Sequence, residues 1–456
     1  QTNPSSTLSR LFMADDIGAV DADRIEILDG TLEQALQTLP HLGGSVLGGS
    51  VLHLDVFTFG IHDDLTVNQI ENATNMLSAQ QGNHPLTIDA SVIHDLGGSA
   101  SEELLWVLSS LAQLYRYGVV DWSTVWIQLS LDVDIFENVV KVRSLKQLMQ
   151  GLRTQLKDVT GMPYISGETS LRMCSRVDQQ NNMLRALYAS IAGIWGGVDG
   201  LMIHGYDSIT ESSKQASRVA HNIHAVLEEE SGLANWNDPL HGAYQIETQT
   251  EQLSTQVWQR FCQREEQGGM ISDLSSGFWR DTLRDIQEKR CLEIASQRRL
   301  ITGVTAFANV ADRVGEQWIK GASTRFVRDT QAIEQIRATA ERYAEVVVKV
   351  YCLGELADYK PRLEFLQQFL AVVGWSAVQV ETMSELNGDV VCLVGTEDAY
   401  ADNIQLLQQF VRCGGETLLV GHGPQSEPAY HLIHKKTNIV ETWNRILMSW
   451  PKRGEK

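Results

Sequence analysis

Along much of the chain, short apolar runs alternate with longer amphipathic segments. Val51–Val56, Leu86–Asp89, Thr124–Leu131, Pro163–Ser166 and Gly200–Ile203 are rich in Val, Ile, Leu and Thr and read as strands. Between them, Leu104, Leu105, Leu108, Leu111 and Tyr115 recur at helical spacing over Ser101–Tyr115. Glu102 and Glu103 fall in its first turn, where carboxylates favour a helix. Strands alternating with helices from Ile27 to Ile203 predict right-handed β-α-β units, a mostly parallel sheet and an α/β fold, either a β/α barrel or a doubly wound sheet. Only one or two strand–helix units fit between Val20 and Leu86, so a barrel here is expected to be abbreviated or irregular. Its open strand edges would need cover from helices or from another chain.

The pattern changes over Glu247–Tyr343 to long polar helices broken at Gly268 and Gly269. Leu253, Val257, Trp258 and Phe261 form one apolar stripe, and Leu283, Ile286 and Ile294 a second, as expected of packed helices. A second alternation then begins, with strands over Val346–Leu353, Ala377–Val380, Asp389–Val394 and Thr417–Val420. Helices are expected over Leu363–Val373, Asn403–Cys413 and Ile439–Met448, which makes a small doubly wound, flavodoxin-like domain. The expected organisation is a β/α domain over 1–246, a helical layer packing on it over 247–343, and the flavodoxin-like domain over 344–456.

Composition narrows the class of partner. The chain has 456 residues, 43% hydrophobic and 21% charged, as globular proteins do, and its formal charge is −20. No Lys/Arg-rich stretch offsets that charge, so nucleic acid is not an expected partner. There is no long apolar run for a membrane span, and Gln1–Arg10 is polar where a signal peptide is apolar, so a cytoplasmic location is expected. Cys174, Cys262, Cys291, Cys352, Cys392 and Cys413 lie far apart without Cys-x-x-Cys, which suits free thiols in a reducing compartment.

The chemistry-bearing residues, taken alone, define no reaction. Gly43–Gly49 lacks phosphate-loop spacing and precedes a strand, so it reads as a turn. Asp89, His94 and Asp95 follow a strand end, where they suit either acid–base chemistry or capping of the next helix. His221, His224 and Glu228 share a helix face without an evident further metal ligand, and read as a solvated face.

Longer segments carry a family resemblance. Glu168–Arg185, containing Arg172-Met-Cys-Ser-Arg176 and Asn181-Asn-Met-Leu-Arg185, followed by Ile194–Asp207 with Trp195-Gly-Gly-Val-Asp-Gly200, resembles the barrel of methylmalonyl-CoA mutase. Asp89–Ser99, Arg218–Asn222, Leu227–Ser231, Asp238–Tyr244, Gly268–Met270 and Ile301–Phe307 agree in the same order. The resemblance covers most of Ile88–Arg337 and implies a TIM-type β/α barrel for a CoA ester, with a C-terminal flavodoxin-like domain of the cobalamin-binding type. Such enzymes use adenosylcobalamin for radical isomerisation.

Three departures from the family pattern point away from catalysis. Cobalamin domains of this kind carry Asp-x-His-x-x-Gly, whose His becomes the lower cobalt ligand. Here the matching stretch is Asp358-Tyr-Lys360-Pro-Arg-Leu363, in which an ammonium offers cobalt no lone pair and Leu fills the Gly place. Active mutases end the Gly-Gly strand with Leu-His-Thr-Asn; this chain has Met202 in place of that His, with His204 further along. Active subunits also have an Arg-, Pro- and Tyr-rich N-terminal segment without a counterpart before Ile27 in this sequence, which begins at Gln1.

Arg185 matches a family arginine near the substrate carboxylate, and Asn181 and Asn182 match its neighbours. With Met202 and His204 they would form a vestigial substrate pocket. The chain therefore resembles the non-catalytic small subunit of a heterodimeric mutase, with no catalytic residue, cofactor or metal of its own and adenosylcobalamin in a large partner subunit. The charge of −20 agrees, because a polyanionic CoA ester would meet no basic cluster. The alternatives are a catalytic cobalamin-dependent acyl-CoA mutase and a free-standing binding or regulatory pseudo-enzyme.

Overall fold

The structure, a computed structural model, describes residues 86–210, 213–315, 327–343, 346–403, 416–421 and 431–449. The expected strand Val51–Val56, the Gly43–Gly49 turn and the helix expected after Asn403 lie outside the described residues. The chain divides into two compact units, with one boundary between Glu288 and Lys289 and with Ser175–Asn181 grouped with the second.

The first unit contains a four-stranded sheet of β1 (Leu86–Asp89), β2 (Val125–Leu131), β3 (Tyr164–Thr169) and β4 (Gly200–Met202), in chain order. All three ladders are parallel, with Asp89 opposite Gln128, Glu168 opposite Ser130 and Met202 opposite Glu168. Helices α1 (Ser91–Asp95) and α2 (Ala100–Arg116) follow β1, α3 (Ile135–Gln155) follows β2, and α4 (Asn181–Gly196) leads into β4. α5 (Lys214–Ala225) comes after β4. Ser99 starts α2 through a capping box with Glu102, which satisfies backbone N–H groups that have no partner within the helix.

Side chains alternate across each strand, so paired residues share a face. One face presents Ile88, Ile127, Leu129, Leu131, Ile165 and Leu201, all buried in one apolar cluster with Leu104, Leu105, Leu108 and Leu111 of α2. Glycines let α4 approach this face: a Cβ on Gly193 would stand 2.7 Å from Leu131 Cδ1. The polar helix α6 (Tyr244–Glu266) lies against α2 and α3 and buries Val257 and Phe261. It ends before Gly268 and Gly269, whose φ angles of 108° and 65° turn the chain into α7 (Gly269–Ser275). α8 (Phe278–Ala295) follows, and its Trp279 meets Trp106 edge to face at 5.1 Å.

In the second unit, α9 (Gln331–Ala340) precedes β5 (Val348–Cys352), α10 (Leu356–Ala371), β6 (Ala377–Val380) and β7 (Val390–Val394). α11 (Glu397–Asp402), β8 (Glu416–Val420), β9 (His431–Ile433) and α12 (Ile439–Ser449) complete it. The sheet is parallel throughout in the order β6-β5-β7-β8-β9, a doubly wound arrangement. β9, absent from the sequence reading, is three residues long, too short to show a period of its own, and exists by pairing with β8. α10 starts at Leu356, earlier than the expected Leu363, and carries Pro361 inside it. A proline removes one N–H and normally ends or begins a helix, which is why the pattern suggested a later start. Phe369 stacks on Trp443 at 4.9 Å, and Trp375 meets the same indole edge-on at 5.4 Å. Among the described residues no helix is long and apolar enough to cross a membrane.

Candidate functional site

The opposite face of the first sheet is polar. Register puts Asp89, Gln128 and Ser166 in one row, and Ser130, Glu168 and Met202 in the next row towards the C-terminal strand ends. Below them Trp126 stacks on Tyr164, with ring centroids 4.5 Å apart. The C-terminal ends of parallel strands are where β/α folds assemble their sites, because the loops that follow converge there.

A buried network joins these ends. His94, on α1, places Nε2 2.8 Å from Ser170 Oγ and Nδ1 3.2 Å from Glu103 Oε1. Lys141 of α3 donates to Glu103 Oε1 at 2.9 Å and to the Ser130 carbonyl. Arg172 donates to the carbonyls of His94 at 2.5 Å and Gly98 at 3.0 Å, and its guanidinium lies 3.9 Å from Asp132 Oδ2. Ser170 accepts the Arg172 N–H at 3.1 Å and donates its own N–H to Leu131 at 2.8 Å. The loops after β1, β2 and β3 are thus tied together through side chains.

Ser170, His94 and Glu103 form a hydroxyl–imidazole–carboxylate chain of the kind that activates nucleophiles. Here it is sealed: the three residues are 1%, 2% and 1% exposed, so an acyl substrate has no path to Ser170. The chain acts as a strut.

The electrostatics follow from enclosure. Burial pushes Glu103 up from 4.5 to about 7, with Lys141 opposing part of the rise. Loss of solvent, then the charge of Glu168, lifts Asp95 well above the carboxylate range against the pull of Arg172. Burial would also raise Asp132, but Lys141, the Asn138 hydrogen bond and Arg172 outweigh it and hold Asp132 low. Among these groups the carboxyls of Asp89, Asp95, Glu103, Asp132 and Glu168 outnumber the cations Lys141 and Arg172.

The expected site residues divide between several places. Arg185 is 8% exposed and donates to Asn182 Oδ1 at 2.7 Å, while Asn182 Nδ2 donates to the Tyr206 carbonyl at 2.8 Å. Asn181 turns elsewhere, donating to Asp178 Oδ2 at 2.6 Å. His204 Nε2 lies 3.6 Å from Glu168 Oε2, on the face that Glu168 shares with its partner Met202. Asp89 accepts the Ser91 N–H at 3.0 Å just ahead of α1, and the residue that caps α2 is Ser99, not Asp89, His94 or Asp95. His224 pairs with Glu228 at 3.5 Å, and burial followed by the neighbouring His221 depresses its pKa. No group of three or more His, Cys, Asp or Glu among the described residues is placed to hold a metal ion. In the second unit Asp358 and Lys360 lie exposed in the first turns of α10.

Sequence reasoning singled out neither Lys141 nor Ser170 nor Asp132, and read Glu103 only as a first-turn carboxylate. Lys141 did leave a trace, as a lone charge between Val140 and Val142 on a buried helix stripe.

A parallel α/β protein of two units, with a polar site at the strand ends of the first, is the class these features define. The chain belongs to the methylmalonyl-CoA mutase family, whose sequence pattern matches residues 77–388. It is 27% identical to the probable methylmalonyl-CoA mutase small subunit of Mycobacterium tuberculosis, over 84% of this chain and 67% of that relative. The methylmalonyl-CoA mutase small subunit of Streptomyces virginiae is 26% identical over 75% of this chain and 60% of its own length. That of Propionibacterium freudenreichii subsp. shermanii is 25% identical over 65% and 49%. The chain thus spans from about half to two thirds of the length of these relatives.

Proposed function

We propose that this chain is the non-catalytic small subunit of a heterodimeric methylmalonyl-CoA mutase, in which a large partner subunit holds adenosylcobalamin and interconverts methylmalonyl-CoA and succinyl-CoA. On this reading the first unit is a TIM-type β/α barrel and the second a flavodoxin-like domain of the cobalamin-binding type, in a cytoplasmic complex. The small-subunit names of the relatives and the parallel order of both sheets support it.

The observation that carries the proposal is Asp358-Tyr-Lys360-Pro-Arg-Leu363. These positions run through the start of α10, with Lys360 exposed and Leu363 a side chain where the family has none. An ammonium donates hydrogen bonds and has no lone pair for cobalt, so the residues present do not fit the cofactor. In the first unit, a strand-end cluster rich in carboxyls and a Met at position 202 suit an anionic thioester poorly.

Coexpression with a His-bearing large subunit, followed by native mass spectrometry, is expected to give a one-to-one complex. Adenosylcobalamin added to the purified chain alone should leave the cofactor spectrum unchanged. Axial-ligand replacement in that titration, or turnover by the chain alone, would make it a catalytic mutase. A chain that never pairs would be a free-standing pseudo-enzyme.

A further inference from the structure

Surface helices ordinarily turn large apolar residues inward and charges outward. In α4 the order is reversed. Its buried face is made largely of small residues, among them Ala186, Ala189, Ala192 and Gly193, while Leu184 and Tyr188 are exposed. Its one charged residue, Arg185, is buried against Asn182, so α4 offers solvent no charge. A helix that is apolar on its outer face as well needs cover there.

The apolar surface continues onto two neighbouring elements. Tyr188 is followed one and two turns later on α4 by Ala192 and Trp195, which join a small apolar cluster with Val140 of α3 and with Ala243 and Ile246 at the start of α6. Phe136, exposed, lies one turn before Val140 on α3. Arg143, one turn after Val140, donates to Asp238 and, at 2.6 Å, to Glu247, and so pins the stretch that carries Trp236 and Tyr244, 72% and 81% exposed. Single exposed apolar residues are ordinary, but five large ones around one small cluster mark a contact surface, and aromatic side chains supply the centres of such surfaces.

The rim selects the kind of protein that fits. Asp134 and Glu137 flank Phe136, and Asp238 and Glu247 lie beside Trp236 and Tyr244. The cations among them are engaged, Arg143 by those two carboxylates and Lys146 by the Gly197 carbonyl. In a two-fold contact between copies of this chain the acidic rim would face itself. A partner with Lys and Arg around an apolar centre complements it.

We propose that the outer face of α4, together with Phe136 and the Trp236–Tyr244 stretch, is the surface on which the large mutase subunit docks, through an apolar face rimmed by Lys and Arg. The inference deepens the proposed function and rests on it for the identity of the partner.

The test uses the full chain coexpressed with a His-bearing large subunit, with the dissociation constant read by native mass spectrometry over serial dilutions. A Trp236→Ala, Tyr244→Ala double variant should keep the wild-type melting temperature, because both side chains are exposed, and should pair about thirtyfold more weakly. Leu292→Ala, which removes an exposed apolar side chain from the second unit, should pair as the wild type does. Glu137→Lys should weaken pairing most at low ionic strength, and tighter pairing would mean an acidic partner face and overturn the proposal. Wild-type affinity in the double variant, or an equal loss in Leu292→Ala, would also overturn it. So would a wild-type homodimer that the double variant dissolves, since a second copy would then occupy this face. Should the double variant fail to fold, amide exchange of the wild-type complex serves: peptides containing Phe136, Tyr188 and Trp236 should be protected on pairing, and unchanged exchange there would overturn the docking surface. A wild-type chain that pairs with no large subunit removes the proposed function and this surface together, whereas pairing that survives the variants removes the surface alone.

Discussion

Lys141 and Glu103 illustrate a buried pair whose effect depends on pH. The folded value of about 7 for Glu103 lies above the ordinary 4.5, so the native state favours the protonated acid. Its contribution is therefore fully present below pH 4.5, is lost as pH rises towards 7, and levels off beyond. Glu103→Gln, of nearly the same shape, should flatten that fall in urea-unfolding free energies measured between pH 4.5 and 7; a slope equal to the wild type would exclude Glu103 as its source. Lys141→Met should cost about 3–5 kcal/mol at pH 8, where it strands buried carboxylates. At pH near 5 the loss should be smaller, because Glu103 can take a proton. His94 contacts the same carboxyl and Asp132 the same lysine, so a Glu103→Gln, Lys141→Met double variant should be less than additive.

At the scale of elements, close approach outweighs intrinsic preference. Gly196 ends α4 where a Cβ would stand 2.8 Å from Cβ of Val142 on α3, a branched carbon near the backbone that cannot swing aside. Gly196→Ala would gain up to about 1 kcal/mol in helix propensity. It should nevertheless destabilise by about 1–3 kcal/mol through overpacking, read as a lower urea midpoint with an unchanged slope. At the N-terminus of α2, Ser99→Ala should cost about 1 kcal/mol by removing the cap. Elements with a full period, such as Val125–Leu131 and the helix over Ala100–Arg116, were legible because their apolar spacing is long enough to repeat. β9 and the early start of α10 were not, since β9 is held by pairing with β8 and α10 continues through Pro361.

At the scale of the whole molecule, two units with separate apolar clusters should not melt as one. Calorimetry is expected to resolve two transitions, and Trp443→Ala, which removes an indole packed against Phe369 and Trp375, should lower only one of them. A single transition that moves as a whole would show the units to be thermodynamically fused.

The division between what sequence and tertiary structure decide follows from the range of the interactions. Local periodicity was enough for two runs of parallel α/β structure and a helical stretch broken at Gly268 and Gly269, while ordered motifs carried the resemblance to the family whose pattern matches residues 77–388. Each of these is written within a few residues of chain. The joining of His94 to Ser170, of Lys141 to Glu103 and of Tyr400 to the ends of β7 and β8 was decided only by the fold. Those contacts depend on strand register and helix placement. A parallel sheet brings together residues far apart in the chain, and no local pattern records which of them will meet.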